Sequence, residues 1–358
     1  MTAPTATPVV VVVGAGLVGA SIGCALTARG IPVHLRDQKP SHALVAAELG
    51  AGTVEPPVEH DVTLVVAAVP PNALPGVIRD ALVRYPGATV TDVGSVKAGV
   101  LAALWDSGLE LERYVGSHPM AGSQHSGPLT ARADLFEDRT WVITPHRRSA
   151  PASVAAVAAM VQACRARQVI MDVDDHDAAV ARVSHLPHLM SVLMAGHLNS
   201  VPAEHLVLAG QGLRDVTRVA GSDPELWEQI LGANSAAVLL ELRSVQDRLD
   251  RVIKAVETPA SGELQAQLSL GVEGTRRIPG KHGATQVAYT QVVVEIPDAP
   301  GALGRLFALV GDAGVNVEDI SIEHDQVRQV GYLALSVAPD QAPGLTAAMT
   351  AHGWSVQP

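Results

Sequence analysis

A run of five valines and the glycine-rich turn after it constrain the fold more than any other feature of the sequence. Residues 9–13 are all valine, and GAGLVG follows directly at residues 14–19. A continuous β-branched run predicts a strand that is buried on both faces, as in parallel sheets. The glycines permit a tight turn from this strand into a helix. The unit predicts an α/β layer with a ligand site at the helix N-terminus.

The glycine pattern favours a dinucleotide as that ligand. Gly14, Gly16 and Gly19 would let the backbone approach a pyrophosphate at the start of the helix. Asp37, eighteen residues after Gly19, ends the next predicted strand and would accept hydrogen bonds from the ribose hydroxyls. Its carboxylate would repel a 2′-phosphate, so we expect NAD rather than NADP, although Arg36 could stack on adenine or attract a phosphate. Further expected cofactor contacts are Leu17, Val18 and Val69.

The chain divides into three segments by its hydrophobic pattern. Strands, among them the candidates YVGSHP and TWVITP, alternate with helices over residues 1–172, which predicts a Rossmann-type parallel sheet. Residues 173–284 are helical to about Leu270, with a linker after it, and are apolar enough for a substrate domain with a shared dimer core, so we expect a homodimer. Residues 285–358 read as a βαββαβ unit of ferredoxin-like order.

Charge and composition exclude several classes of protein. The net charge of −11 argues against nucleic acid and anionic membrane surfaces as partners. The two cysteines suggest no disulfide framework. The start of the chain has no basic segment before its apolar run, so we expect neither a signal peptide nor a membrane span, and a cytoplasmic location.

Two polar segments follow predicted strands at the carboxyl edge of the sheet. TDVGSVK contributes Ser95 and Lys97, and the glycine-rich loop GSHPMAGSQHSG contributes His118. We expect these side chains near the nicotinamide end of the cofactor. A dehydrogenase that acts on an alcohol needs a base for the hydroxyl proton, which suits His118, and a serine could orient the ring. A solvated or core histidine is the alternative.

The helical segment carries a second set of polar residues. In SHLPH, His185 and His188 lie three residues apart on one helix face, and Pro187 between them predicts a kink. Zinc is a weak alternative without HExxH or paired cysteines, and we expect no metal. RDVTRVAGSDPELW supplies Arg214 and Arg218, which suit carboxylate binding or surface ion pairs. SDP predicts the N-cap of a last long helix.

Taken together and in this order, these motifs resemble the prephenate dehydrogenase family, whose members act on prephenate or arogenate. The resemblance covers roughly residues 9–280. It implies oxidative decarboxylation of prephenate to 4-hydroxyphenylpyruvate, with His118 as the catalytic base and Ser95 bonded to it and to the substrate hydroxyl. It further implies that substrate contacts are made by His188, Arg218, Asp215 and Trp227. Asp215 could instead orient an arginine or cap a turn.

Gln124 stands where some relatives carry glutamate. A neutral amide cannot pair with the ammonium of arogenate as a carboxylate could, so Gln124 favours prephenate. Arogenate dehydrogenase stays open as an alternative.

The last segment resembles an ACT domain, a regulatory module that binds amino acids. Expected effector contacts are Asp298, Gly301, Leu303 and Asn316. Tyrosine is the first candidate effector and phenylalanine the second, and a purely structural dimerisation unit is the alternative. For the whole chain, a phosphoglycerate-type dehydrogenase and a non-enzymatic NAD or amino-acid sensor are the alternatives. A sensor would not need the set of Ser95, His118 and Arg218.

Overall fold

The computed structural model describes residues 8–122, 127–258, 262–278, 289–325 and 330–357. Contacts between Cα atoms divide the chain into two units, Met1–Arg251 and Val252–Pro358. The domain limits at 172/173 and 284/285 stay predictions, and the second of them lies outside the described residues. None of the helices in the described ranges is long and apolar enough to cross a membrane.

The first unit is built on a seven-stranded sheet with the order β2-β1-β3-β4-β5-β6-β7. Its strands are β1 (Val9–Val13), β2 (Val33–Arg36), β3 (Val62–Ala67), β4 (Thr89–Asp92), β5 (Tyr114–Pro119), β6 (Thr140–Thr144) and β7 (Arg167–Ile170). Neighbouring strands are parallel except β5 and β6, which are antiparallel. The predicted α/β class is confirmed, with a mostly rather than wholly parallel sheet. Sequence reasoning missed β7, because its four residues are exposed and lack an apolar run.

The valine run forms β1 because successive side chains alternate between the two faces of the sheet. Val10 and Val12 pack into one buried cluster and Val11 into the other. Helices cover both clusters, which is why both faces of β1 are apolar. They are α1 (Leu17–Thr27), α2 (Pro40–Glu48), α3 (Leu74–Arg84), α4 (Ala98–Trp105) and α5 (Pro151–Ala163).

Over the described residues up to 275, seven further α-helices follow the sheet. They are α6 (Val173–Val180), α7 (Leu186–His197), α8 (Ala203–Leu206), α9 (Gln211–Thr217), α10 (Pro224–Ala233), α11 (Ser235–Glu257) and α12 (Glu263–Thr275). The predicted all-helical character of this segment is therefore confirmed.

Two local expectations for these helices need comment. A π-helical turn at Ala181–His185 separates α6 from α7 and places Pro187 in the first turn of α7, and the kink expected at Pro187 stays a prediction. A proline lacks an N–H donor, and the first turn of a helix does not need one. Asp223 caps α10 as expected, but the last long helix is divided at Asn234. The amide of Asn234 donates to the backbone oxygen of Asp177 at 2.8 Å, which holds this break in place.

The second unit contains the predicted βαββαβ fold. Its elements after α12 are β8 (Thr290–Pro297), α13 (Ala302–Asp312), β9 (Val317–Asp325), β10 (Val330–Val337), α14 (Ala342–Ala351) and β11 (Ser355–Gln357). The four strands form an antiparallel sheet with the order β11-β8-β10-β9. Leu306 of α13, Leu333 and Leu335 of β10, and Met349 of α14 are fully buried in its core.

Candidate active site and effector cavity

The strand order of the first unit reverses between β1 and β3, and the glycine turn lies at the carboxyl end of β1 at that point. Ligands of open α/β sheets bind beyond the carboxyl ends of the strands at such a switch point. The sheet therefore places GAGLVG where a nucleotide would bind.

The glycine turn fits a pyrophosphate. Gly14 has a φ of 100°, and a Cβ there would lie 2.1 Å from the backbone oxygen of Ala68. A Cβ on Gly19 would lie 1.9 Å from the backbone oxygen of Gly14, so α1 packs closely on the turn. A Cβ on Gly16 would meet nothing within 4 Å, which leaves space for a ligand beside the turn. No side chain caps the start of α1, so its N–H groups can bind an anion.

Asp37 follows β2 beside this turn, as predicted. Its carboxylate accepts hydrogen bonds from the backbone N–H groups of Ala15 and Lys39, each at 2.7 Å. Each carboxylate oxygen keeps a further lone pair, so the ribose hydroxyls can still donate to it. Leu17 and Val18 begin α1, and Val69 lies two residues after the end of β3. These residues can hold a dinucleotide in the predicted way.

Lys97 does not project towards a ligand but lies in a buried polar cluster. Its ammonium pairs with the carboxylate of Asp92 and donates to the backbone oxygen of Ser117 at 2.8 Å. The hydroxyl of Tyr114 donates to the second oxygen of Asp92 at 2.7 Å. Burial, together with Asp92, raises the pKa of Tyr114 well above 10, so the hydroxyl keeps its proton. Lys97 thus neutralises Asp92 below the site.

His118 lies on β5, which spans the strand candidate YVGSHP, and not within the glycine-rich loop expected from its surroundings. Every residue of β5 is buried, and His118 pairs in register with Val142 of β6. The strand runs beside its antiparallel neighbour β6 as far as Pro119, which pairs with Trp141. A strand fixes a catalytic side chain more firmly than a glycine loop would.

The ring of His118 is hydrogen-bonded to a histidine from the helical part of the unit. Its Nδ1 lies 3.0 Å from Nε2 of His176, whose Nδ1 lies 2.8 Å from the carboxylate of Asp177. The same carboxylate accepts hydrogen bonds from the backbone N–H groups of Lys97, at 2.9 Å, and Ala98, at 2.8 Å. The start of α6 is thereby tied to the start of α4.

These contacts determine the charges at the site. Burial lowers the pKa of His118 well below its ordinary 6.5, and the ammonium of nearby Lys97 lowers it further. The imidazole is therefore neutral and able to accept a proton at neutral pH. Burial alone would raise the pKa of Asp177, but the hydrogen bonds from His176 and from the start of α4 lower it overall. Asp177 is accordingly a carboxylate.

Ser95 lies half-buried in the segment between β4 and α4. In the part of the chain that the structure describes, Nδ1 of His118 pairs with His176 and not with Ser95. A hydrogen bond from Ser95 to a substrate hydroxyl stays a prediction.

His185 and His188 both contact Trp227. The rings of His188 and Trp227 are stacked, with centroids 3.5 Å apart, and the ring of His185 meets the indole edge-on at 6.1 Å. His185 also receives a hydrogen bond from the amide of Asn234 at 3.2 Å. Burial lowers the pKa of His185 to about 4 and also lowers that of His188. Both rings are therefore neutral, and their contacts differ from those of zinc ligands.

The arginines of the helical segment are exposed. Arg214 lies on α9, and Arg218 begins the short helix Arg218–Gly221, which packs against α7 together with α9. Asp215 accepts a hydrogen bond from the amide of Gln211 at 2.9 Å, one turn earlier on α9. Their expected roles in substrate binding stay predictions. Gln124 lies outside the described residues.

The second unit has a cavity of about 120 Å³ beside the turn from β8 into α13. Asp298, Gly301 and Leu303 line it, as expected for effector contacts. Gly301 has a φ of 79° at the start of α13, a backbone conformation that favours glycine. Asn316 lies outside this lining, and its amide donates to Glu318 at 2.6 Å.

Comparison with known proteins identifies the family. Residues 22–170 match the family model of the prephenate dehydrogenase nucleotide-binding domain, and residues 172–270 match that of the prephenate dehydrogenase dimerization domain. Residues 290–351 match the ACT domain. A protein of Streptomyces niveus described as a probable prephenate dehydrogenase is 33% identical, over 96% of this chain and 98% of that one. The chain belongs to the prephenate dehydrogenase family.

Two solved structures of the same family are similar over about three quarters of this chain. Prephenate dehydrogenase from A. aeolicus, in complex with hydroxyphenyl propionate and NAD+, has a TM-score of 0.68 at 25% identity and covers 76% of this chain and 99% of that one. Synechocystis arogenate dehydrogenase has a TM-score of 0.63 at 26% identity, and the match covers 74% of this chain and 98% of that one. Membership in the prephenate dehydrogenase family confirms the resemblance, the fold class and the dehydrogenase class.

Sequence reasoning missed two residues of this candidate site. His176 and Asp177 contact His118 and the start of α4. The segment DVDDHD resembles an ordinary acidic first turn of a helix, which hides them. One feature of the sequence could have revealed them: an adjacent histidine and aspartate close to the boundary between two predicted domains.

Proposed function

We propose that this chain is an NAD-dependent prephenate dehydrogenase that converts prephenate to 4-hydroxyphenylpyruvate. The observation that carries the proposal is a buried, neutral His118 on the same edge of the sheet as the glycine turn. Family membership and the NAD-bound relative support it.

The residues of this chain act on the proton and on the charges of the substrate. NAD, when bound, accepts the hydride that leaves C4 of prephenate. His118 takes the proton of the C4 hydroxyl as the hydride leaves, and the ring carboxylate departs as carbon dioxide. Aromatisation drives the step, so the protein mainly has to orient the reactants. No step needs a metal.

The substrate is a dianion, which an acidic chain must bind through local cations. Arg218 would pair with one carboxylate, since a guanidinium suits bidentate carboxylate binding. Its exposed position and the packing of its helix on α7, which carries His188, support this role. Trp227 would hold the ring of His188 in place, and Ser95 would bond the substrate hydroxyl.

Arogenate is the second candidate substrate, because a similar solved structure is an arogenate dehydrogenase. Gln124 favours prephenate, because its neutral amide cannot pair with the ammonium of arogenate as a carboxylate could. The deciding experiment measures absorbance of the reduced cofactor with purified protein. Prephenate and arogenate are each offered with NAD and with NADP. We expect turnover with prephenate and NAD. Turnover with arogenate alone would move the assignment to that substrate. If folded protein reduces no cofactor in any of the four mixtures, a non-enzymatic NAD or amino-acid sensor would be favoured.

We further propose a homodimer that is formed through the helical segment. Leucines on α11 are exposed in the single chain, among them Leu239, Leu240 and Leu249. An apolar surface of this kind is typical of an interface, and the matching family model is a dimerization domain. Light scattering should give the mass of a dimer, and a monomer at micromolar concentration would contradict this.

We also propose that an aromatic amino acid regulates the enzyme through the ACT domain. The cavity beside Gly301 supports this proposal, since its lining combines Asp298 with apolar residues such as Leu303. Tyrosine is the first candidate and phenylalanine the second.

A further inference from the structure

We propose that His176 and Asp177 are positioning residues that fix the tautomer of His118. They come from α6, the first helix after the sheet, and both side chains are buried. The proposal rests on the proposed function for its effect on rate, but the state of the His118 ring can be tested without substrate.

The hydrogen bonds determine the proton positions in order, starting from Asp177. Its carboxylate faces the backbone N–H groups of Lys97 and Ala98, which can only donate. An ionised carboxylate can only accept, so the Nδ1 of His176 at 2.8 Å must carry a hydrogen. When this is the one hydrogen on the His176 ring nitrogens, its Nε2 is unprotonated and can accept.

The second bond transfers this constraint to His118. Nε2 of His176 is 3.0 Å from Nδ1 of His118, and an unprotonated nitrogen needs a donor. Nδ1 of His118 therefore carries the hydrogen, and Nε2 of His118 keeps the lone pair that accepts the substrate proton. Without His176, the hydrogen could reside on either nitrogen of His118.

The same arrangement stabilises the ring after it has accepted the proton. The cationic His118 would still donate through Nδ1 to His176, and His176 would still donate to the Asp177 carboxylate. No atom has to move for the new charge to be supported, and such preorganised groups are the most effective in catalysis. The hydrogen bonds that Asp177 accepts from the start of α4 also link this pair to the segment that carries Ser95.

The direct test is the ring nitrogen spectrum of ¹⁵N-histidine-labelled protein at neutral pH, with His118 assigned from the spectrum of His118→Asn. The expected result is a protonated Nδ1 and an unprotonated Nε2 on His118. A protonated Nε2 in the unmodified protein would overturn the proposal. This measurement needs neither substrate nor activity, so it is independent of the proposed function.

Two substitutions at His176 separate positioning from a structural role. Glutamine can accept from His118 and donate to Asp177, whereas leucine can do neither. We expect His176→Leu to lower kcat by about tenfold to a hundredfold, part of what general base catalysis contributes, with the KM for NAD unchanged. His176→Gln should recover most of that loss, and the His118 signals should show mixed tautomers in His176→Leu only.

His146→Gln is the matched control, because His146 bonds the backbone oxygens of Leu111 and Tyr114, before and at the start of the same strand, at 3.1 Å. It should lower stability without a change in the His118 tautomer. Equal loss of kcat in both His176 variants, or an unchanged tautomer in His176→Leu, would overturn the proposal. If His176→Leu does not fold, the spectrum of the unmodified protein decides.

Discussion

The indole of Trp227 lies flat on the imidazole of His188, with ring centroids 3.5 Å apart and ring planes within 3° of parallel. Trp227 comes from the first turn of α10 and His188 from the first turn of α7. The stack therefore connects two helices and fixes a side chain that we assign to substrate binding.

Removing this stack should weaken substrate binding. We expect Trp227→Ala to raise the KM for substrate by about three- to tenfold, the worth of one aromatic pair. The Kd for NAD should not change, since the glycine turn is untouched. Trp227→Phe keeps a stacked ring and is the matched control. Steady-state kinetics on the two variants measure this effect. An unaltered KM for substrate in Trp227→Ala would show that the stack does not support substrate binding.

Two glycines of the same turn should respond differently to alanine. Gly16→Ala places its Cβ in open space with an ordinary φ of −77°, so the fold should keep its melting temperature while NAD affinity drops at least several-fold. Gly19→Ala forces its Cβ against the backbone of Gly14 and should lower the melting temperature. Gly76→Ala within α3 meets nothing within 4 Å and serves as control. Calorimetric titration with NAD measures the affinities. An unchanged affinity for NAD in Gly16→Ala would contradict the assignment of this glycine turn as the pyrophosphate site.

Stability should decline in acid because buried histidines must be charged on unfolding. The pKa of His185 is lowered from 6.5 to about 4 in the folded chain, so the unfolded chain binds the proton first as the pH falls. The contribution of His185 to the free energy of unfolding is complete above pH 6.5 and is lost as the pH falls from 6.5 to about 4. The expected slope is about 1.4 kcal/mol of unfolding free energy per pH unit for one such histidine.

Denaturant unfolding as a function of pH measures this slope. His185→Gln retains an acceptor for the amide of Asn234 but cannot titrate, so its free energy of unfolding should decline less steeply. Identical slopes for the two proteins would show that His185 does not take up the proton.

The cavity of the second unit should bind an aromatic amino acid. Leu303 lines this cavity, and an acidic side chain there would place a charge on its apolar wall. We expect Leu303→Asp to weaken tyrosine or phenylalanine binding at least several-fold with turnover preserved. Ile320→Asp, at a residue of β9 outside the lining and similarly exposed, is the control. Equilibrium dialysis measures this binding. If neither amino acid binds at millimolar concentration, the ACT domain has a structural role instead.

Local patterns were enough to predict the layers of the fold. The valine run, the glycine turn and Asp37 each depend on neighbours within one βαβ unit, so their arrangement follows from sequence alone. The βαββαβ order of the last segment is predictable for the same reason. The π-turn before Pro187 and the break at Asn234 were not, because hydrogen bonds from Asn234 to distant parts of the chain hold them.

The site was predictable only where motifs carried it. His118 was found from its motif, and YVGSHP was a strand candidate, but the antiparallel pairing of that strand with β6 is not shown by any local pattern. Lys97 was expected near the cofactor, yet its partner Asp92 and the carbonyl of Ser117 hold it in the core. His176 and Asp177 meet His118 only after the helical part has packed on the sheet. Contacts between distant segments are the ones that a single sequence does not reveal.

The central claim is that His118 takes the substrate proton, and His118→Asn tests it most directly. The measurement pairs turnover of prephenate, followed by reduced-cofactor absorbance, with calorimetric binding of NAD to the same protein. The account predicts unchanged NAD affinity and a kcat lower by about 10²- to 10⁴-fold, the usual contribution of a general base. A variant that binds NAD and turns over at nearly the normal rate would contradict it.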